Sequence, residues 1–347
     1  MIIGKNYVHG GDIYTNDVWL DFSANVNPFG TPEAVKAAVR EAAEHMDIYP
    51  DPYCGRLRAA LAEKTGVDEN CIICGNGAAE LIYQFVNALR PKRTLLPVPS
   101  FADYEAALLS AGCEPVLYPL KREREFAICD DILDSISGCD AVMLCNPNNP
   151  TGKMIDKALL MSIADKCRSC GTWLFLDECF MELCDRGYSL AGEIKNDDKI
   201  FILHAFTKTY GMAGVRLGYG ICAMEELLHR MSRISQPWNV SNTAQAAGLA
   251  ALSCDTWAAD ARKLFREEKE YLMRELARLG IDVHYGEANF LFITGAYGLY
   301  EKLLRRGILI RSCANYHGLD KGDCRIAVRT HDENAALIKA VSEVWDA

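Results

Sequence analysis

The apolar residues of this chain follow two alternating periods. After Thr31 and Pro32, a pair suited to a helix start, Val35, Val39, Ala42 and Met46 recur at helical spacing and predict an amphipathic helix. Gly66 is placed to stop a second helix, RLRAALAEKTG. Short apolar runs then appear, CIIC, RTLLPV, EPVLY, DAVMLC, WLFLD and IFILHA, each trailed by a helix-like stretch. Unbroken apolar strands separated by helices predict an α/β fold, with a mostly parallel central sheet covered by helices on both faces. From about Thr243 the pattern changes to long amphipathic helices and three extended stretches, NFLFI, ILIRS and CRIAV, which predict a smaller α+β unit. The expected organisation is an N-terminal arm over 1–30, a large domain over 31–242 and a small C-terminal domain over 243–347.

Composition narrows the partners. The 347 residues carry 37 Lys and Arg against 47 Asp and Glu, a formal charge of −10, which argues against a phosphate-backbone ligand and hence against nucleic acid. No run approaches the roughly 18 apolar residues of a membrane helix, and MIIGKNYVHGGDIYTND lacks the apolar core of a secretory signal. A cytoplasmic protein acting on small molecules, with no membrane partner, is expected. The fifteen cysteines are odd in number and sit in core-like patterns, so they read as reduced thiols. Cys71/Cys74 and Cys167/Cys170 have the C-x-x-C form of zinc and redox sites. The first pair lies in a strand, whose side chains alternate rather than converge, and the second ends a helix, so both read as core thiols. His204, His284 and His317 have no metal-ligand spacing, and no metal site is expected.

In open α/β sheets ligands collect at the carboxyl ends of the strands, and four segments there carry candidate chemistry. Gly75-Asn76-Gly77-Ala78-Ala79-Glu80 opens a helix, whose free amides can hold a phosphate, or else it is a tight connection. Asn146-Pro147-Asn148-Asn149-Pro150-Thr151-Gly152 is a rigid turn that can present an amide to a ligand. Asp177 and Glu178 end an apolar strand, where a buried carboxylate needs a cationic partner; a helix cap or an internal salt bridge would also account for them. Lys208 stands in TKTYGMAGVRLG, with Arg216 downstream in a Gly-rich extended stretch; alone, such a lysine reads as a surface group.

Taken together, NPNNPTG, the Asp-Glu pair ending a strand, and Thr-Lys followed by G-x-R-x-G resemble the fold type I pyridoxal-phosphate enzymes of the class I/II aminotransferase superfamily, over nearly the whole chain. The resemblance implies pyridoxal 5'-phosphate as cofactor. Lys208 would carry it covalently and then move protons, and Asp177 would pair with its pyridinium nitrogen. Asn146 would reach its phenolic oxygen, and Phe101 would stack on its ring. Gly77, Ala78, Ala79, Thr207 and Arg216 would hold its phosphate. Tyr49 would reach the cofactor phosphate of a neighbouring subunit, which implies a homodimer with shared active sites. Phe180 stands where many relatives carry a tyrosine, leaving the phenolic oxygen to Asn146, and Ala205 stands where a hydroxyl residue often helps with the phosphate.

Within the superfamily the chain is similar to histidinol-phosphate aminotransferases and to threonine-phosphate decarboxylases of corrinoid biosynthesis. His9-Gly10-Gly11-Asp12 with DFSANVNPFG, QPWNVS with Trp238 and Asn239, and above all Arg311-Ser312-Cys313-Ala314-Asn315-Tyr316 favour the second. Arg311 and Arg325 would bind the substrate's phosphate, with His9 adding a contact from the partner subunit and Asn25 one near the ring. The α-carboxylate could then turn perpendicular to the ring, and CO₂ would leave rather than a proton. Before the resemblance, Arg325 and Arg329 read equally well as solvent-facing strand residues, and Arg329 stays open. The function implied is decarboxylation of L-threonine O-3-phosphate to (R)-1-aminopropan-2-ol O-phosphate. Transamination of histidinol phosphate with 2-oxoglutarate, decarboxylation of serine phosphate and a non-catalytic sensor are the alternatives.

Overall fold

The computed structural model describes residues 9–196 and 198–345. In chain order its strands are β1 (Leu20–Asp21), β2 (Ile72–Gly75), β3 (Arg93–Val98), β4 (Glu114–Pro119), β5 (Ala141–Cys145), β6 (Trp173–Asp177), β7 (Ile200–Ala205), β8 (Gly218–Ile221), β9 (Asp282–His284), β10 (Phe290–Thr294), β11 (Ile308–Leu309), β12 (Arg311–Ser312) and β13 (Cys324–Ala327). Its α-helices are α1 (Glu33–Ala43), α2 (Gly55–Thr65), α3 (Ala78–Leu89), α4 (Ala102–Ser110), α5 (Ile132–Ile136), α6 (Lys157–Cys170), α7 (Phe206–Thr209), α8 (Glu225–Ile234), α9 (Asn242–Leu252), α10 (Trp257–Arg278), α11 (Leu299–Leu304) and α12 (His331–Trp345).

Seven strands form the main sheet in the order β2-β8-β7-β6-β5-β3-β4. All neighbours are parallel except around β8, which runs antiparallel to both β2 and β7. β5 and β6 are buried at every residue, as expected of strands covered on both faces. β8 continues the Gly-rich stretch that the sequence marks only as extended, because its glycines give little β-propensity. Packing explains them. A Cβ on Gly220 would lie 2.2 Å from the ring of Phe201, and one on Gly218 would lie 2.6 Å from the amide nitrogen of Ala78.

One core lies between the sheet and α1, α2, α6 and α9, and a second fills the opposite face under α3, α4 and α8. The α9 residues Ala244, Ala247 and Ala251 belong to the first core, and the change to the small-domain core comes at α10, from Ala261. There Ala261, Phe265, Leu272 and Leu276 of α10 face the antiparallel sheet β12-β13-β10-β9 at helical spacing. Leu20 and Phe22 of the N-terminal arm are part of this small-domain core, and β1 pairs with β11. The stretch ILIRS is split: β11 pairs with the arm, and β12 joins the four-stranded sheet.

Two local expectations are corrected. Thr31 does not cap α1, because its hydroxyl donates to the Gly211 carbonyl at 2.8 Å, where a tertiary bond competes with the local one. The helix also stops at Ala43, leaving Met46 exposed.

Candidate active site

The carboxyl ends of β3, β5, β6 and β7 open on a cleft of about 610 Å³, and Asp177, Lys208, Thr207, Phe101, Asn25 and Arg325 are on its wall. Asp177, the last residue of β6, is buried. Its carboxylate accepts from the Tyr104 hydroxyl at 2.6 Å and from the Cys179 amide at 2.9 Å. Burial pushes this carboxyl up from the usual range, and those two donors hold it down. No cation of the described residues lies within ion-pair distance of it, so the cleft is built to receive one. Tyr104, which the sequence reading passed over, sits one turn after Phe101 on α4 and is wholly buried.

Lys208 follows β7 directly, in the single turn of α7. Its backbone carbonyl accepts from the Asn27 amide at 3.0 Å, which ties the N-terminal arm to the site. The ammonium lies 5.5 Å from the centre of the Phe180 ring. Burial, with help from the Arg325 charge, lowers this lysine to about 8, so roughly a tenth of it is already a neutral nucleophile at pH 7.

At one end of the cleft α3 begins at Gly77, with no side chain capping its first turn, and Ala78, Ala79, Thr207 and Arg216 line the wall there. Gly77 adopts φ +81°, and a Cβ on it would sit 2.4 Å from the Arg216 guanidinium. Gly218 lets β8 lie against the same loop. Free helix amides, a guanidinium and a hydroxyl make a phosphate cradle. Glu80 holds this loop from behind, accepting from the Asn76 amide at 2.6 Å and from the Asn239 side chain at 2.7 Å.

The amide on the cleft wall is Asn149, not Asn146. Asn146 is completely buried, with its Oδ1 accepting from the Ile155 amide at 2.9 Å. Asn149 accepts from Arg325 through its Oδ1, and its amino group is left for the cleft. Both residues lie in NPNNPTG, and only the turn after β5 decides which reaches the ligand.

Arg325 of β13 donates to Asn149 and to the Ser23 carbonyl, at 2.7 Å for the latter, and its Nε has no partner. No carboxylate of the described residues is within ion-pair distance of this buried guanidinium. Arg311 opens on a different cavity, of about 440 Å³, which shares His9, Gly10, Gly11 and Ser23 with the cleft. It donates to Asn315 at 2.8 Å and stacks over Tyr316, so much of the RSCANY string is a seat for Arg311. His9 is at the mouth, 3.5 Å from Asp103. Asn25 lines the cleft with both amide atoms buried and unpartnered.

Tyr49 is not on the cleft of its own chain; it is exposed and stacks on Trp238 with ring centres 4.5 Å apart. Arg329 pairs with Glu333 on α12. The fifteen cysteines are free, and among the described residues no group of three or more His, Cys, Asp or Glu is arranged to hold a metal.

A family model, aminotransferase class I and II, matches residues 17–341. The chain belongs to that family. Among its members, the threonine-phosphate decarboxylase of Salmonella typhimurium strain LT2 is 36% identical, with 98% of this chain and 97% of the relative covered. The histidinol-phosphate aminotransferase of Methanosarcina mazei is 32% identical, covering 92% and 87%. The crystal structure of the histidinol-phosphate aminotransferase from Clostridium acetobutylicum superposes with a TM-score of 0.88 at 30% identity, covering 94% of this chain and 99% of that one. Pyridoxal 5'-phosphate is the cofactor of the class I and II aminotransferase family. The residues here fit it: an uncapped helix start beside Arg216 for the phosphate, buried Asp177 for the ring nitrogen and Lys208 for the aldehyde carbon.

Proposed function

We propose that the chain is a pyridoxal-phosphate-dependent carbon–carbon lyase, decarboxylating L-threonine O-3-phosphate to (R)-1-aminopropan-2-ol O-phosphate for the corrinoid nucleotide loop. The observation that carries this reading is Arg325, buried on the cleft wall with only neutral acceptors and an unpartnered Nε, beside a second arginine seated by the RSCANY string. A buried guanidinium of this kind calls for an anionic substrate group. The identity of 36% along nearly the full length of a threonine-phosphate decarboxylase supports phosphothreonine as that substrate.

When bound, pyridoxal phosphate supplies an electron sink for the negative charge left on the substrate carbon as a bond breaks. The chain's residues do the rest. Asp177, held by Tyr104 and the Cys179 amide, keeps a proton on the ring nitrogen. Arg325 and Arg311 orient the substrate through its phosphate, His9 closes the mouth, and Asn25 offers an amide with no other partner. Lys208 Nζ delivers the proton that replaces CO₂ at the substrate Cα.

A cytoplasmic homodimer completes the proposal. Met46, Ile48, Tyr49, Tyr53, Ile234 and Trp238 are large apolar residues left exposed, and their burial against a second copy, with Tyr49 reaching the neighbour's cleft, is the arrangement proposed. Among the described residues no helix is long and apolar enough to cross a membrane.

The test is product analysis by mass spectrometry, with purified protein, pyridoxal phosphate and O-phospho-L-threonine but no 2-oxo acid. Catalytic formation of aminopropanol phosphate supports the lyase. No turnover there, with oxoglutarate-dependent consumption of histidinol phosphate, would assign the arginines to an aminotransferase.

A further inference from the structure

On the far side of β6 from the cleft lies a pair of groups that the reaction above does not use. Asp177 lines the cleft, and Glu178, the next residue, turns to the other face, as alternation along an extended chain requires. Its amide donates to the Leu203 carbonyl at 2.8 Å, so the two strand ends are still joined here. Glu178 Oε1 accepts from the Leu190 amide at 3.0 Å. Oε2 has no hydrogen-bond partner and lies 3.5 Å from His204 Nε2, which has none either. Both residues are buried, and the imidazole is stacked on Tyr219 with ring centres 4.9 Å apart.

The surroundings fix the charge. The void beside the pair, about 10 Å³ and at the lower limit for one water, is also lined by Glu182, Cys179, Tyr210 and Tyr219 and by no Lys or Arg. Ser189 and Asp177 are the other polar groups that act on Glu178. An ionised Glu178 would be a buried charge without a cation, next in sequence to a carboxylate that must itself stay ionised, and both circumstances are costly. A proton between Oε2 and Nε2 removes the charge and satisfies both orphan atoms at once.

We propose that Glu178 and His204 are a positioning pair sharing one proton, a neutral carboxylic acid against a neutral imidazole, which fastens the carboxyl ends of β6 and β7 and keeps a second buried charge away from the ionised Asp177 that faces the cofactor ring. The inference rests on the reading of Asp177 and Lys208 as cofactor-holding residues. Burial acts in the same direction, raising Glu178 to about 7 and lowering His204 to about 4. The pair reaches both groups through the backbone, since Glu178 follows Asp177 and His204 lies on the strand that leads into Lys208.

Two measurements made without substrate test this, the first on the holoenzyme and the second on protein freed of cofactor and titrated with it. In the infrared difference spectrum at pH 7 between the native protein and Glu178→Gln, the native protein should show the carbonyl stretch of a protonated carboxyl; carboxylate bands in its place overturn the shared proton. In cofactor titrations, His204→Ala should bind pyridoxal phosphate roughly tenfold more weakly, the effect of one buried polar group left unsatisfied, and should shift the pH midpoint of the cofactor's visible absorption. Glu178→Gln, which keeps a donor toward Nε2, should stay within about twofold of the native protein. His204→Gln serves where the alanine variant does not fold. Unchanged affinity and midpoint in both histidine variants overturn the positioning role. Neither readout uses a substrate, so both stand apart from the choice between lyase and aminotransferase, whereas a native protein that takes up no cofactor would sink the reading of the site itself.

Discussion

Arg311 and Arg325 are directly opposite one another on β12 and β13, yet they open on adjoining cavities with the His9–Gly11 segment shared between them. Like charges opposed across a strand pair are unfavourable, and a substrate anion reached by both would relieve that. The two are distinguishable through Lys208, because Arg325 is the charge that does most to hold it down and Arg311 is not among its main influences. Arg325→Gln should move the pH midpoint for capture of pyridoxal phosphate by the cofactor-free protein upward, because the neutral amine then forms at higher pH. Arg311→Gln should leave that midpoint in place. Both should raise KM for the phosphorylated substrate by roughly 10- to 100-fold, the loss of a hydrogen bond to a charged group. Stopped-flow capture rates across pH and steady-state kinetics check the two arms.

Tyr104→Phe removes one of the two donors to Asp177. That hydrogen bond lowers the carboxyl, so its loss raises it and moves the acid limb of the activity profile to higher pH. The rate constant kcat should fall by roughly tenfold or more with KM little changed, since the tyrosine is fixed on the carboxylate rather than on substrate. A pH–rate profile with an unmoved acid limb would count against the role given to Tyr104.

Gly77→Ala faces two obstacles, a φ of +81° and a guanidinium 2.4 Å from the new Cβ. Backbone strain of this kind costs about 1–3 kcal/mol. Arg216 would also be driven from the loop. Thermal denaturation should show a lower Tm, and most of the further rise on adding pyridoxal phosphate should vanish.

Asn149→Ala and Asn146→Ala should fail in different ways. The first removes the acceptor that holds Arg325 on the cleft wall, and it should shift the cofactor's absorption band and weaken substrate binding. The second strands the buried Ile155 amide, and it should cost about 1–3 kcal/mol of stability with the band unmoved. Equal spectral shifts in both variants would return Asn146 to the site.

Stability against pH should expose Glu178 and His204. The histidine takes a proton near 6.5 when unfolded but only near 4 when folded, so its contribution is present above 6.5 and lost as pH falls toward 4. The carboxyl loses its proton near 4.5 when unfolded and near 7 when folded, so its contribution is present below 4.5 and lost as pH rises to 7. The slopes oppose each other between those limits and should nearly cancel in the native protein. Glu178→Gln leaves the histidine slope alone, so urea-unfolding free energies should rise with pH through this window, by up to about 1.4 kcal/mol per unit. His204→Gln should show the reverse slope.

Motif order in the chain was enough to single out most of the residues now proposed to hold the cofactor. Lys208, Asp177 and the Gly77–Ala79 helix start are tied to strand ends, and strand ends are legible because β5, β6 and β7 are unbroken apolar runs that must be covered on both faces. β8 showed only as an extended stretch, since glycines required by Phe201 and Ala78 carry no strand signal of their own. The choice between Asn146 and Asn149 was hidden, because two asparagines three residues apart in one rigid turn look alike until the turn is folded. Tyr104, the separate cavities of Arg311 and Arg325, and the meeting of Glu178 with His204 all join residues far apart in sequence. Local pattern records which face of a strand or helix is apolar, whereas these meetings depend on which buried polar atoms are left facing one another once the sheet has closed, and only the tertiary structure decides that.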